Sequence, residues 1–113
     1  MWVFLNDSFL SIVQHREKPE LLMVRARIAG DIERAFPGVT ASRTPNADYL
    51  FRAEILREVV NVAMNNAVNK INYDNFKNSV DEHDRHDAYM KVWETMVRFQ
   101  AARDKTNLKH GKR

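Results

Sequence analysis

From Leu56 to Ile71 the chain places apolar residues at helical spacing: Leu56, Val59, Val60, Ala63, Met64, Ala67, Val68 and Ile71. No Gly or Pro interrupts the pattern over four turns. The segment is therefore predicted to be a long amphipathic helix whose stripe must be covered. A second helix is predicted from about Asp81 to about Ala102. Its stripe is Tyr89, Met90, Trp93, Met96 and Val97, widened by Val92 and Phe99. Asp87–Lys91 and Glu94–Arg98 are i,i+4 pairs in the favourable acid-first order.

The residues upstream supply a surface that two such stripes can cover. Trp2–Leu5 and Phe9–Val13 are β-prone runs around the turn-forming Asn6-Asp7-Ser8, which reads as a hairpin. His15–Glu20 is a charged loop. In Leu21–Ile28 the alternation puts Leu22, Val24, Ala26 and Ile28 on one face and Met23, Arg25 and Arg27 on the other. Asp31 is expected to cap a short helix holding Ile32, Ala35 and Phe36, which Pro37-Gly38 stop. Val39–Ala47 reads as a loop or irregular edge segment. Asp48–Ile55 reads as a fourth strand, with Tyr49, Phe51 and Ala53 alternating against Asp48, Leu50, Arg52 and Glu54. The connector Asn72–Val80 carries Tyr73 and Phe76. A sheet with one apolar face needs a cover, and the economical solution is an α+β two-layer domain. It has an antiparallel sheet of about four strands, in the order β-β-β-α-β-α-α, with the two long helices packed on one face. Residues 1–102 form that domain, and 103–113 a basic, flexible tail.

Composition narrows the function classes. The chain has 113 residues and no cysteine, which excludes disulfide frameworks and thiolate zinc sites. The net charge is +3, but the tail holds Arg103, Lys105, Lys109, Lys112 and Arg113 against Asp104. The basic balance therefore belongs to the tail, where it reads as a solvated terminus or as a sequence-independent phosphate contact. The apolar start is not a signal peptide, since no basic region precedes it and Asn6-Asp7 interrupt it. No stretch approaches the ~20 apolar residues of a membrane span, so the expected compartment is the cytoplasm.

Four constellations are candidate sites. Arg25 and Arg27 share a face of one strand, and Arg52 points away from the core on another. If the strands are neighbours, three guanidinium groups meet on the uncovered side of the sheet, where their bidentate geometry suits phosphate or carboxylate. The alternative is cross-strand pairing with Asp48 and Glu54. In Asp81–Asp87, His83 and Asp87 are i,i+4 and His83 and His86 i,i+3, a spacing that lets a helix present metal ligands. The alternative is an acidic helix start, with His86 a packing residue. Asn61, Asn65 and Asn69 line one side of the first long helix, either as a recognition strip for a protein partner or as a soluble face. Tyr73 and Lys77 either support packing or stand beside the arginines as a phosphate or base-stacking site.

Nucleophilic catalysis finds no support. The serines lack a nucleophile-elbow context and no glycine-rich phosphate loop exists. Acid–base cleavage of RNA needs only two proton-transfer groups and a cation. A small phosphodiester-cleaving enzyme using His83, His86 and the arginines is therefore the enzymatic alternative.

Several stretches carry a resemblance: Met1-Trp2-Val3-Phe4, Val24-Arg25-Ala26-Arg27, Asp48-Tyr49-Leu50-Phe51-Arg52-Ala53, Ile71–Lys77 and His86–Trp93. Over residues 1–100 the chain resembles a group of small uncharacterised bacterial and phage proteins. The resemblance implies a free-standing product and transfers no activity or site. At Leu56 the chain departs from a capping Ser that the group's pattern implies. The leading expectation is a small non-enzymatic interaction or regulatory module, without a cofactor and without membrane attachment. It binds a protein partner, or nucleic acid through the tail or the arginine cluster. A homodimer fits this reading, as does a phage or mobile-element inhibitor of a host system.

Overall fold

The computed structural model describes the backbone of residues 1–109 and the side chains of residues 1–105. The fold is α+β, a five-stranded antiparallel sheet with helices packed on it. The chain divides into two compact units, Met1–Asp74 and Asn75–Arg113.

In the first unit, β1 (Trp2–Leu5) and β2 (Ser8–Gln14) form the expected hairpin around Asn6-Asp7, with Phe4 opposite Phe9. β3 (Leu21–Ala26) pairs with β2. β4 (Ser42–Arg43) is a two-residue edge strand within the segment read as irregular. β5 (Phe51–Leu56) lies between β3 and β4, giving the order β1-β2-β3-β5-β4.

The alternation decides what each face carries. Leu10, Ile12, Leu22, Val24, Ala26 and Ile55 point one way and are buried. They pack with Ile32 and Phe36 from the segment of the short helix α1 (Asp31–Ala35) and with Val60 of α2 (Arg57–Asn69). Of the stripe that announced α2, Val60 is buried and Ala63, Met64 and Ala67 are half-buried. Leu56, Val59, Val68 and Ile71 are exposed. Among the sheet strands α2 packs chiefly on β5 and β3, so only the narrow line facing those strands is covered.

Three local expectations are corrected. The third strand stops at Ala26, because the Ile28 carbonyl accepts from the Asp31 N–H (3.2 Å) and the chain turns there. Asp31 does not cap α1. Gly30 holds the cap position at φ 91°, a left-handed conformation that glycine adopts without cost. The Asp31 carboxylate is fully buried instead, accepting the Phe9 N–H at 3.0 Å and pairing with Arg34. The fourth predicted strand starts at Phe51 and not at Asp48, since residues 47–50 bend.

β5 runs into α2 without a loop. Leu56 stands at the N-cap and offers no side-chain acceptor. The Arg57 N–H is satisfied by the Glu20 carbonyl at 2.9 Å. A hydroxyl at position 56 would accept one of the remaining first-turn N–H groups. Leu56→Ser is thus expected to stabilise the chain by about 0.5–1 kcal/mol. A rise in the thermal unfolding midpoint is the check; an unchanged or lower midpoint contradicts it.

The second unit has a 3₁₀ turn at Lys77–Ser79 and the helix α3, His83–Lys109. α3 begins two residues later than predicted and continues past Ala102, through part of the expected tail. The rest of that tail lies outside the described residues. Phe76 stacks on the buried Tyr89 at 5.8 Å between ring centroids. The buried Arg85 donates from Nε to Glu82 Oε1 at 2.8 Å. Tyr89 is buried and Met90 half-buried, whereas Val92, Trp93, Met96, Val97 and Phe99 are exposed.

Candidate binding face

Within the first unit α1 and α2 occupy one face of the sheet. The opposite face carries no further element of this unit among the described residues. Strand register builds one row across all five strands on that opposite face: Trp2 faces Ser11, Ser11 faces Arg25, Arg25 faces Arg52, and Arg52 faces Ser42. The condition set by the sequence, that the arginine-bearing strands be neighbours, is met by the β3–β5 pairing.

The arginines are organised around Tyr49. Its ring is 4% exposed but lies outside the helix-side core. Arg25 Cζ is 4.6 Å from the ring centroid and Arg27 Cζ 4.1 Å. Guanidinium groups stack on aromatic faces through the ring quadrupole, so one buried ring positions two of the three cations. The expectation that Tyr49 shares the core face with Phe51 and Ala53 is corrected: parity holds only inside the strand, and Tyr49 precedes it.

Hydrogen bonds fix the cluster further. Arg25 Nη2 donates to Ser11 Oγ at 2.7 Å, and Arg27 Nη1 to the Asp48 carbonyl at 2.6 Å. Arg52 Nη2 lies 3.4 Å from Asp48 Oδ1. The Nε–H groups of Arg25 and Arg52 are buried and have no acceptor among the described residues. A buried N–H without an acceptor costs about 1–3 kcal/mol.

Of the two acids expected to neutralise the cluster, only Asp48 does so. Glu54 Oε1 is 3.2 Å from His15 Nε2. His15 Nδ1 accepts the backbone N–H groups of Glu17 and Lys18, each at 3.1 Å. With Nδ1 accepting, Nε2 carries the proton donated to Glu54. Both ring nitrogens of His15 are thus committed to holding the β2–β3 loop. Sequence reading missed this pair, and no local pattern marks it.

The remaining candidates are placed elsewhere. His83 Nδ1 is 3.5 Å from Asp87 Oδ2, with the histidine side chain 94% exposed. His86 Nδ1 is 3.8 Å from Asp87 Oδ1. This is a solvated set of contacts at the start of α3. No group of three or more His, Cys, Asp or Glu among the described residues is placed to hold a metal ion. Asn61, Asn65 and Asn69 are exposed along α2, as expected. Tyr73 lines a groove of about 540 Å³ with Leu5, Phe36 and Val59, on the helix side of the sheet and not beside the arginines. Lys77 belongs to the second unit, where its ammonium lies 4.9 Å from the Trp93 ring centroid.

Among the described residues, no helix is long and apolar enough to cross a membrane. No protein-family model matches the chain, and no curated protein or solved structure matches it.

Proposed function

We propose that the chain is a non-enzymatic interaction module that docks an anionic partner on the face of the sheet opposite α1 and α2. One observation carries the reading: Arg25 and Arg27 pack on the buried Tyr49 ring and Arg52 lies across the β3–β5 pairing from Arg25, with one carboxylate, Asp48, in contact with the cluster. Preformed forks of this kind recognise phosphate or carboxylate oxygens. The packing on Tyr49 and the bond to Ser11 reduce the ordering cost of binding. Regulation of a host system by a phage or mobile-element product is compatible with this activity.

Elution from immobilised heparin, a sulfated polyanion, tests the reading. The salt needed for elution rises with the number of cations engaged. Arg25→Gln combined with Arg52→Gln is expected to lower the eluting salt clearly. His83→Ala combined with His86→Ala is expected to leave it unchanged. Deletion of residues 103–113 measures the tail's separate share. If the arginine variant elutes with the wild type while the tail deletion removes retention, the face is not the site.

A further inference from the structure

We infer that the anionic partner is a single-stranded nucleic acid, laid across the strands from β1 toward β5. The inference rests on the binding face proposed above and adds what that face reads. The row that ends in the arginines begins at Trp2, an indole 66% exposed on an edge strand. An exposed indole at the sheet edge is a surface on which a base can stack. Phe9 meets the indole in an edge-to-face contact, 6.0 Å between centroids at 76°, which restricts the ring's orientation.

The spacing fits a short polymer. Trp2 and Arg52 are three strand steps apart in the row, about 14 Å at the usual ~4.8 Å per step. Ser11 and Arg25 lie between them. An aromatic platform at one end and guanidinium groups at the other is the chemistry that binds unpaired bases and their phosphates. A duplex hides its base faces, so the indole would have nothing to stack on. An acidic protein surface would use the arginines but would need a separate apolar patch to cover Trp2. A single strand engages both halves of the row, a base on the indole and phosphates at the guanidinium groups.

The test uses the full chain with Trp93→Phe, which leaves Trp2 as the one tryptophan. A fluorescein-labelled oligo-dT 15-mer is titrated by anisotropy beside a mixed-sequence duplex of equal length. The single strand is expected to bind at least tenfold more tightly than the duplex and to quench Trp2 emission. Trp2→Ala should weaken single-strand binding by about tenfold or more and leave heparin elution unchanged. Because Trp2 is exposed at the sheet rim, its loss should not unfold the chain. Equal affinity for duplex and single strand, or full affinity in the Trp2→Ala variant, overturns the inference while an arginine-dependent heparin result still supports the anionic face. If neither oligonucleotide nor heparin binding depends on the arginines, the reading beneath it fails as well.

Discussion

Asp31→Ala is expected to destabilise the chain by about 3 kcal/mol, the cost of taking the buried charged acceptor from the Phe9 N–H and the Arg34 guanidinium. Asp31 is fully buried, and its carboxylate accepts the Phe9 N–H and pairs with Arg34. Truncation strands the Phe9 N–H beneath α1 and removes the link between that helix and β2. With a urea slope of about 1–3 kcal/mol per molar, the unfolding midpoint should fall by one molar or more. Asp31→Asn keeps an oxygen for Phe9 and loses the charge facing Arg34, so its loss should be smaller, about 1–2 kcal/mol. A midpoint unchanged in the alanine variant would show that the carboxylate is not what ties α1 to the sheet.

Tyr49→Ala is expected to cost about 3–4 kcal/mol, through the cavity left by a buried aromatic ring and the lost cation–π contacts. The same change removes the support under Arg25 and Arg27. Heparin affinity should therefore fall, even when measured at a temperature where the variant stays folded. Tyr49→Phe keeps the ring face and should alter both properties little. Urea unfolding and heparin elution on the two variants separate packing from positioning. If Tyr49→Ala folds and binds like the wild type, the ring is not the platform for the cluster.

The hairpin, the alternation of β3 and the long helices were legible because each is a local repeat of hydrophobicity, period 2 or 3.6, set by the element that carries it. Tyr49 shows where such reasoning stops. Counting parity backward from Phe51 assumes an extended backbone, and the chain bends at residues 47–50. Asp31 was read as a cap because its neighbours resemble a helix start, but Gly30 took that position and freed the carboxylate for a tertiary role. The meeting of Arg25 with Arg52 depended on which strands are neighbours. β5 pairs with β3 while the short β4 moves to the edge, and no alternation pattern encodes that choice. His15 and Glu54 are the same case: their contact joins a loop to a strand distant in sequence.

The pairing of β3 with β5 has a thermodynamic consequence for the module. It is the ladder that joins Ala26 to Phe51, so its formation closes a longer loop than the β1–β2 or β2–β3 ladders and carries a larger chain-entropy cost. Arg25 and Arg52 sit on either side of that closure. A chain with the first three strands zipped and the fifth detached does not bring Arg52 beside Arg25. Any ligand bridging the two therefore stabilises the costliest closure in the sheet by mass action, and saturation with it should raise the melting temperature as its concentration increases.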